Sequence, residues 1–330
     1  MSPPLLQVND LKKHFPVKKG LFQRKSEWVY AVDGVSFEIA RGETLSLVGE
    51  SGCGKSTVGR AVLRLFDITS GQVILDGQRI DDAAPSTMRQ MRRRVQVVFQ
   101  DPFSSLNPRM RVRDILAEPI RNFGLAKSAE VMERVGELLT IVGLAPSDGT
   151  KFPHEFSGGQ RQRISIARAL AGEPEFLVCD EPTSALDVSV QAQILNLMRK
   201  LQDEMGLTYL FISHDMSVVR HMSDRIAVMY LGRIVEEADT ETLFANPRHP
   251  YTQLLLETIP DITHPKRGRS IAASEVPSPL NPPSGCTFHP RCPFADQRCK
   301  SERPEMRNFA DGSRAACHRI EETAKAIHAA

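Results

Sequence analysis

The segment GESGCGKST, residues 49–57, has the spacing of a loop that binds nucleotide phosphates. It fits the pattern G-x-x-x-x-G-K-[ST], and it lies between an apolar run that predicts a strand and a run that predicts a helix. Lys55 is expected to reach the β- and γ-phosphates, and the Ser56 hydroxyl to coordinate Mg²⁺. The alternative is a chance glycine-rich turn, which this context disfavours. The predicted nucleotide-binding residues of the loop are Gly49, Glu50, Ser51, Gly52, Cys53, Gly54, Lys55, Ser56 and Thr57, with Cys53 interpreted as a tolerated small residue.

Two carboxylates follow the apolar run FLVC, at Asp180 and Glu181. An open α/β sheet presents its ligand-binding residues at the carboxyl ends of its strands, where these acids are expected. Asp180 then suits a contact to Mg²⁺, and Glu181 is placed to act as general base on an attacking water. The alternative is a helix N-cap or a surface turn, which the presence of the phosphate loop makes less attractive.

A second anion site is predicted at SGGQRQR, residues 157–163. Ser157 can cap a helix, and Gly158 and Gly159 leave the first N–H groups of that helix accessible. One nucleotide on one phosphate loop does not need two such sites. The pattern therefore predicts a dimer in which residues 157–160, including Gln160, close on the ATP of a partner chain. The alternative is a capped surface helix.

Alternating strands and helices are predicted to position these residues, which is typical of a mostly parallel α/β sheet. We predict strands within 35–48, a hairpin at 70–80, strands at 95–99, 176–179 and 207–212, and a hairpin at 225–235. Helices are predicted at 55–66, within 112–172, and at 188–201, 240–245 and 251–257. A proline-rich linker is predicted at 260–283, and no internal repeat is found, so one nucleotide-binding core is expected.

The composition excludes several classes of protein. Charged residues make up 25% of the 330, and 42 basic against 40 acidic residues give a net charge of +2, so no bulk field favours nucleic acid. The start of the chain, MSPPLLQVND, lacks the apolar region of a secretory signal. No apolar run approaches the roughly 20 residues that span a bilayer. A cytosolic chain with reduced thiols is expected.

Four cysteines are concentrated near the C-terminus, at Cys286, Cys292, Cys299 and Cys317. In a loop-rich cytosolic segment such a set suits either a [4Fe–4S] cluster or Zn²⁺, for which His289 and His318 are further candidate ligands. Ligation would fold a segment that cannot bury its own core. The alternative is four unligated thiols.

With these motifs in this order, the chain resembles the ATP-binding subunits of ABC transporters over essentially its whole length. Further family elements are Gln100 in VVFQD, Ser184–Asp187 in SALD, His214 in ISHD and Phe15 in LKKHF. The resemblance implies that Phe15 stacks on adenine. It implies that Ser56, Gln100 and Asp180 bind Mg²⁺, that Asp187 contributes to the nucleotide site, and that Glu181, His214 and Gln100 are catalytic.

Three segments narrow the resemblance to ATPases of dipeptide and oligopeptide importers: HPYTQLLLETIP (249–260), PSPLNPP (277–283) and QDPFSSLNPR (100–109). The resemblance implies a second related ATPase subunit, two transmembrane permease subunits, a periplasmic substrate-binding protein and no nucleic acid. It implies peripheral attachment to the cytoplasmic face of the inner membrane, and a [4Fe–4S] cluster, with Zn²⁺ as the alternative.

The predicted fold class is therefore α/β, a P-loop NTPase (ABC ATPase) core with an antiparallel β subdomain and a helical subdomain, plus a small Cys-rich metal-binding extension. The predicted boundaries are 1–240 for the nucleotide-binding domain, with its helical subdomain at 101–172, then 241–285 for a linker, 286–318 for the cysteine module and 319–330 for a tail. The predicted function is ATP-driven peptide import. Alternatives are import of glutathione, nickel, haem or δ-aminolevulinate, and an ABC ATPase acting on ribosomes or DNA. A P-loop kinase would lack SGGQ and ISHD.

Overall fold

A computed structural model describes residues 3–17, 27–259 and 275–322. These residues form two compact units. The phosphate-loop unit comprises residues 6–17, 27–38, 45–81, 213–259 and 275–322, and the helical unit comprises residues 3–5, 39–44 and 82–212. No helix in these three described stretches is both long and apolar enough to cross a membrane.

The strands and helices have the following bounds. The strands are β1 (Leu6–Val17), β2 (Glu27–Ile39), β3 (Thr44–Val48), β4 (Ser70–Leu75), β5 (Gln78–Arg79), β6 (Val95–Val98), β7 (Phe176–Asp180), β8 (Thr208–Ser213), β9 (Arg225–Tyr230), β10 (Arg233–Asp239), β11 (Arg307–Asn308) and β12 (Arg314–Ala315). The helices are α1 (Lys55–Val62), α2 (Pro85–Arg94), α3 (Pro102–Ser105), α4 (Val112–Phe123), α5 (Val131–Ile141), α6 (Gly158–Leu170), α7 (Val188–Met205), α8 (Met216–Met222), α9 (Thr240–Ala245), α10 (Pro250–Glu257) and α11 (Gln297–Ser301).

Two groups of strands build the phosphate-loop unit. A four-stranded sheet has the order β2–β1–β4–β5, in which β4 is antiparallel to both β1 and β5. The second group has the order β11–β12–β10–β9–β3, with β3 parallel to β9 and the other pairs antiparallel. All five residues of β3 are buried, as expected of a strand covered on both faces. The phosphate loop therefore begins at the end of a fixed core strand.

Parallel strands also carry the acids in the helical unit. Strands β6, β7 and β8 are parallel neighbours in the order β8–β7–β6, and every residue of β7 and β8 is buried. The region predicted to be helical contains α4, α5 and α6, with two 3₁₀ turns before α6. Gly124 ends α4 in the left-handed conformation at φ 65°, which glycine adopts without steric cost. The predicted parallel core strands and the predicted helical region are thus both found in the structure.

The end of one helix was predicted wrongly, and another helix was not predicted at all. Helix α1 ends at Val62 rather than at Phe66, because Arg64 adopts a left-handed φ of 48° that the helix cannot continue through. Helix α2 was missed because its sequence, PSTMRQMRRR, is mostly polar and buries only Met88 and Met91. An amphipathic helix is recognised in a sequence by its apolar face, and the apolar face of this helix is very narrow.

The C-terminal segment packs as part of the phosphate-loop unit. Strand β12 pairs with β10, with Ala315 opposite Glu236, and Phe288 is 1% exposed in an apolar cluster with Tyr230 and Tyr251. The predicted proline-rich linker lies partly outside the described residues, since 260–274 are not among them. Pro279, which is described, accepts a hydrogen bond from the backbone N–H of Tyr30 at 3.1 Å. The part of the cysteine-bearing segment around Phe288 therefore shares the core of the unit, whereas Ala315, Cys317 and Ile320 form a small cluster of their own.

Candidate functional site

The phosphate loop turns sharply between β3 and α1, and two of its glycines are required by close backbone approaches. A Cβ on Gly49 would lie 2.2 Å from the carbonyl oxygen of Met229, and one on Gly54 would lie 2.0 Å from that of Ala31. Both glycines have positive φ, 153° and 106°. Other residues would clash and would be strained here, so the loop keeps the open backbone that phosphate binding needs.

Lys55 lies at the start of α1 with its side chain folded along the loop. Its Nζ donates to the carbonyl oxygens of Gly49 at 2.7 Å and Glu50 at 3.0 Å, and the residue is 4% exposed. Burial raises the pKa of the Cys53 thiol, which is 3.8 Å from this ammonium group. Cys53 is therefore a neutral thiol, in line with its interpretation as a tolerated small residue.

Phe15, the residue expected to stack on adenine, lies on β1 and is 37% exposed. Its ring meets that of Phe66 edge to face at 5.7 Å, and the Lys13 ammonium lies 4.9 Å from both ring centroids. An exposed aromatic ring fixed by a second ring is suited to stacking on a planar ligand.

In the helical unit, the two predicted acids have different surroundings at the end of β7. Asp180 is 5% exposed, whereas Glu181 is half-buried and has a left-handed φ of 47°. The Nε2 group of Gln100 donates to Oε2 of Glu181 at 3.0 Å. The structure therefore brings together two of the three predicted catalytic residues, Gln100 and Glu181, in one hydrogen-bonded pair.

The second predicted anion site is an exposed, capped helix start, as expected. Ser157 is the N-cap of α6: its Oγ accepts from the Gln160 N–H at 3.4 Å, and its own N–H donates to Oε1 of Gln160 at 3.0 Å. A Cβ on Gly159 would lie 2.5 Å from Cγ1 of Val190, on α7. Gly159 thus has a packing reason within this chain, in addition to its predicted role toward a partner's nucleotide.

The remaining predicted site residues are exposed at the ends of core elements. His214 lies between β8 and α8, next to Asp215, whose carboxylate caps α8 by accepting from the Ser217 N–H at 2.8 Å. Asp187 is the N-cap residue of α7, and the neighbouring Val188 is 82% exposed.

Sequence reasoning missed two residues that contact the phosphate loop from the C-terminal segment. Tyr251 and Arg291 both bind Glu50, although they lie about two hundred residues further along the chain. The HPY segment contains the tyrosine, but a motif pattern does not indicate which distant residue it will meet.

The four C-terminal cysteines do not form a metal site in this structure. All six cysteines are described and all are free thiols. Within the described part of the chain, no group of three or more His, Cys, Asp or Glu side chains is placed to hold a metal ion. Burial raises the pKa of Cys292 to about 11 and that of Cys317 to about 12, and the thiols of the group add to both shifts. The predicted Cys-rich metal-binding extension and its cluster are therefore not supported by this geometry.

A buried carboxyl and a buried imidazole position α10, which carries Tyr251. Glu236 is fully buried, and its two oxygens accept from the N–H groups of Arg248 at 2.6 Å and His249 at 2.8 Å. Burial raises the pKa of Glu236 to about 7 and lowers that of His249 to about 3. Nδ1 of His249 accepts from the Tyr251 N–H at 3.0 Å, so the first turn of α10 is held at two points.

These two groups predict a specific pH dependence of stability. Folded Glu236 keeps a proton that the unfolded chain loses above about pH 4.5, so its contribution falls as the pH rises from 4.5 to 7. Folded His249 excludes a proton that the unfolded chain binds below about pH 6.5, so its contribution falls as the pH drops from 6.5 to 3. The two slopes oppose each other between pH 4.5 and 6.5.

Glu236→Gln removes one of the two slopes. We expect the free energy of unfolding of this variant to fall more steeply than that of the natural protein on acidification from pH 6.5 to 4.5, by up to about 1.4 kcal/mol per pH unit. Urea unfolding of the full chain at several pH values measures this. The exposed Glu305→Gln is the matched control and should run parallel to the natural protein. Identical slopes for all three proteins would contradict the assignment.

Comparison with known proteins agrees with this geometry. Residues 32–184 match the family model described as ABC transporter, and residues 235–299 match the one described as oligopeptide/dipeptide transporter, C-terminal region. The oligopeptide transport ATP-binding protein AppF of Bacillus subtilis is 54% identical over 319 residues, covering 95% of this chain and 97% of AppF. The probable peptide ABC transporter ATP-binding protein y4tS of Sinorhizobium fredii is 50% identical, covering 99% of this chain and 93% of that protein.

A solved structure shares the fold. The ATP-binding cassette MJ0796, in a dimeric post-hydrolysis state bound to ADP and Pi, is similar with a TM-score of 0.62 and 31% identity, over 71% of this chain and 98% of that one. Fold and phosphate loop thus define an ATPase of the ATP-binding cassette class. The chain belongs to the family of ABC transporter ATP-binding proteins, and its C-terminal part is the oligopeptide/dipeptide transporter type. The family and enzyme class predicted from the sequence are confirmed.

Proposed function

We propose that this chain hydrolyses ATP to power the import of dipeptides or oligopeptides across a bacterial inner membrane. The observation that carries the proposal is the C-terminal match at residues 235–299, since the matching family model is described as the C-terminal region of oligopeptide/dipeptide transporters. Relatives named as peptide or oligopeptide transport ATP-binding proteins, 50–54% identical over nearly the whole chain, support it.

The proposed nucleotide site combines the two sets of residues described above. Phosphates bind the 49–57 loop and Lys55, and adenine stacks on Phe15. The proposed Mg²⁺ ligands are the hydroxyl of Ser56, the amide oxygen of Gln100 and the carboxylate of Asp180, since oxygen atoms are the donors that Mg²⁺ prefers. When bound, Mg²⁺ neutralises charge on the phosphates.

Glu181 is the proposed general base. The hydrogen bond from Gln100 orients its carboxylate, which we expect to accept a proton from the attacking water. His214 is the proposed contact to the γ-phosphate. Ser157, Gly158, Gly159 and Gln160 of one chain serve the nucleotide of the other, beside Asp187.

The proposed assembly pairs this chain with a second, related ATPase beneath two permease subunits that receive cargo from a periplasmic binding protein. The dimeric state of a structural relative supports the ATPase pair. The chain would lie peripherally on the cytoplasmic face of the membrane. Residues 1–240 are proposed as the nucleotide-binding domain, with 241–285 as a linker and 286–318 as the cysteine module.

Reconstitution tests this proposal. The chain is purified with its ATPase partner and permease subunits, placed in proteoliposomes with the binding protein, and supplied with labelled dipeptides, pentapeptides, glutathione, nickel, haem or δ-aminolevulinate. ATP-dependent uptake of a peptide is expected. If only a non-peptide were taken up, that compound would replace peptides as the proposed cargo. Co-purification with ribosomes but not with permease subunits would overturn the transport function.

A [4Fe–4S] cluster on Cys286, Cys292, Cys299 and Cys317 is proposed separately. Its support is the sequence alone, which concentrates four thiols, the usual donor set of such clusters, within residues 286–317. Anaerobic purification should yield about four irons and four sulfides per chain. One zinc without sulfide would establish the zinc alternative, and no metal would leave the thiols unligated.

A further inference from the structure

Glu50, within the phosphate loop, is bound at two points by the C-terminal segment. Arg291 grips its carboxylate with both terminal nitrogens, Nη1 to Oε2 at 2.6 Å and Nη2 to Oε1 at 3.0 Å. The hydroxyl of Tyr251 accepts a hydrogen bond from the backbone N–H of Glu50 at 2.8 Å. These are different elements of the C-terminal segment, since Tyr251 lies on α10 and Arg291 lies between Cys286 and Cys292. We call Tyr251 and Arg291 the loop clamp.

Both members of the loop clamp are rigidly placed. Arg291 is 7% exposed, and its guanidinium lies 5.9 Å from the ring centroid of Tyr230 and 5.8 Å from that of Phe288. Tyr251 is fully buried and packs against the same two rings, with centroids 4.6 and 5.5 Å away. One aromatic cluster therefore orders both residues. A bidentate pair with a buried arginine fixes direction as well as distance.

Fixing Glu50 also constrains the ammonium group that binds phosphate. Nζ of Lys55 donates to the carbonyl oxygens of Gly49 and of Glu50 itself. The peptide groups on either side of Glu50 therefore carry one contact to the clamp and two to Lys55. If the loop could rotate at Glu50, these carbonyls would no longer be held in place. ATP binding would then include the free-energy cost of ordering the loop.

We propose that Tyr251 and Arg291 are positioning residues of the ATP site, holding the phosphate loop in its nucleotide-binding conformation. The inference deepens the proposed function and rests on the assignment of residues 49–57 as the ATP phosphate loop. The C-terminal segment of this chain would thereby influence its ATP affinity. The competing role, a contact that only attaches the segment to its unit, would leave ATP binding unchanged once the chain is folded.

Arg291→Met in the full chain, assembled with its partner subunits, separates these roles. We expect the KM for ATP to rise about tenfold, since truncating one partner of a partly buried, bidentate charge pair is costly, while kcat changes less than about threefold. Arg291→Lys should recover part of the loss, because a single ammonium cannot reproduce the bidentate contact. Arg298→Met is the matched control: this exposed arginine of the same module pairs only locally, with Glu302, and its KM should be unchanged.

Two further variants keep the inference testable if Arg291→Met folds poorly. Tyr251→Phe removes one hydroxyl and should raise the KM about threefold to tenfold, as loss of a single hydrogen-bond acceptor to a buried donor does. Combining Glu50→Gln with Arg291→Met should raise the KM no more than the stronger single change, because both break the same pair. Thermal unfolding of each variant establishes that the comparison is between folded proteins.

Lys55→Ala distinguishes failure of this inference from failure of the proposed site. If Lys55→Ala loses ATP binding while Arg291→Met and Tyr251→Phe, both folded, keep the natural KM, the loop clamp is only an attachment and the inference is overturned. If Lys55→Ala binds ATP normally, the assignment of the loop itself is wrong.

Discussion

Glu181→Gln should leave ATP binding intact and stall turnover. Glutamine keeps the shape of the side chain, and its amide oxygen can still accept from Gln100, which donates to Glu181 at 3.0 Å. It cannot accept a proton from water at neutral pH, so the proposed general base would be lost. The expected decrease in kcat is about 10²- to 10⁴-fold, the usual contribution of a general base. Single-turnover hydrolysis in the assembled complex, beside nucleotide affinity, measures both quantities.

Glu173→Gln is the matched control for this experiment. Glu173 also has a left-handed φ, 53° against 47° for Glu181. Both changes therefore place glutamine at a position with a similar left-handed backbone conformation. It is exposed and paired with Arg93 and Arg134 rather than with Gln100. Normal turnover in this control with stalled turnover in Glu181→Gln supports the base. Near-normal hydrolysis by Glu181→Gln in the complex would refute it.

Lys55→Met should abolish tight ATP binding. The ammonium lies against two loop carbonyls with almost no solvent exposure, and methionine fills similar space without charge or donors. Losing the charge-assisted hydrogen bonds to two phosphates is expected to weaken affinity about 100-fold or more. Equilibrium binding of a fluorescent ATP analogue to the full chain measures the change.

The control here is Lys200→Met, at an exposed lysine of α7 whose partner is Glu204 at 3.7 Å on the same helix. Its affinity should match that of the natural protein. If Lys55→Met kept its ATP affinity within about threefold of the natural value, the phosphates would have to bind elsewhere. The assignment of residues 49–57 as the phosphate loop would then be wrong.

These effects and those of the loop clamp would differ in kind. Lys55 is proposed to contact the phosphates directly, so its loss would remove binding energy. Arg291 acts through Glu50, so its loss leaves every phosphate contact possible and adds an ordering cost. A large loss for Lys55→Met and a graded loss across Arg291→Met, Arg291→Lys and Tyr251→Phe is therefore the expected pattern.

The sequence by itself determined the features that depend only on residues close together in the chain, namely the local motifs and the core strands. The phosphate loop, the acids after β7 and the capped start of α6 are each contained within about ten residues, and local spacing is sufficient to indicate their chemistry. The core strands were predictable for the same reason, because burial on both faces selects continuous apolar runs such as FLVC. The family resemblance then followed from the order of the motifs.

Only the tertiary structure decided which distant groups meet. Residues 241 positions apart form the Arg291–Glu50 pair, and no periodicity relates them. The packing reason for Gly159 became visible only when Val190 was found against it. Strand β12 has two residues and exists because β10 offers an open edge, so its own sequence carries almost no signal. Local motifs specify chemical capability, whereas long-range packing specifies the partners that hold each motif in place, and those partners depend on the fold as a whole.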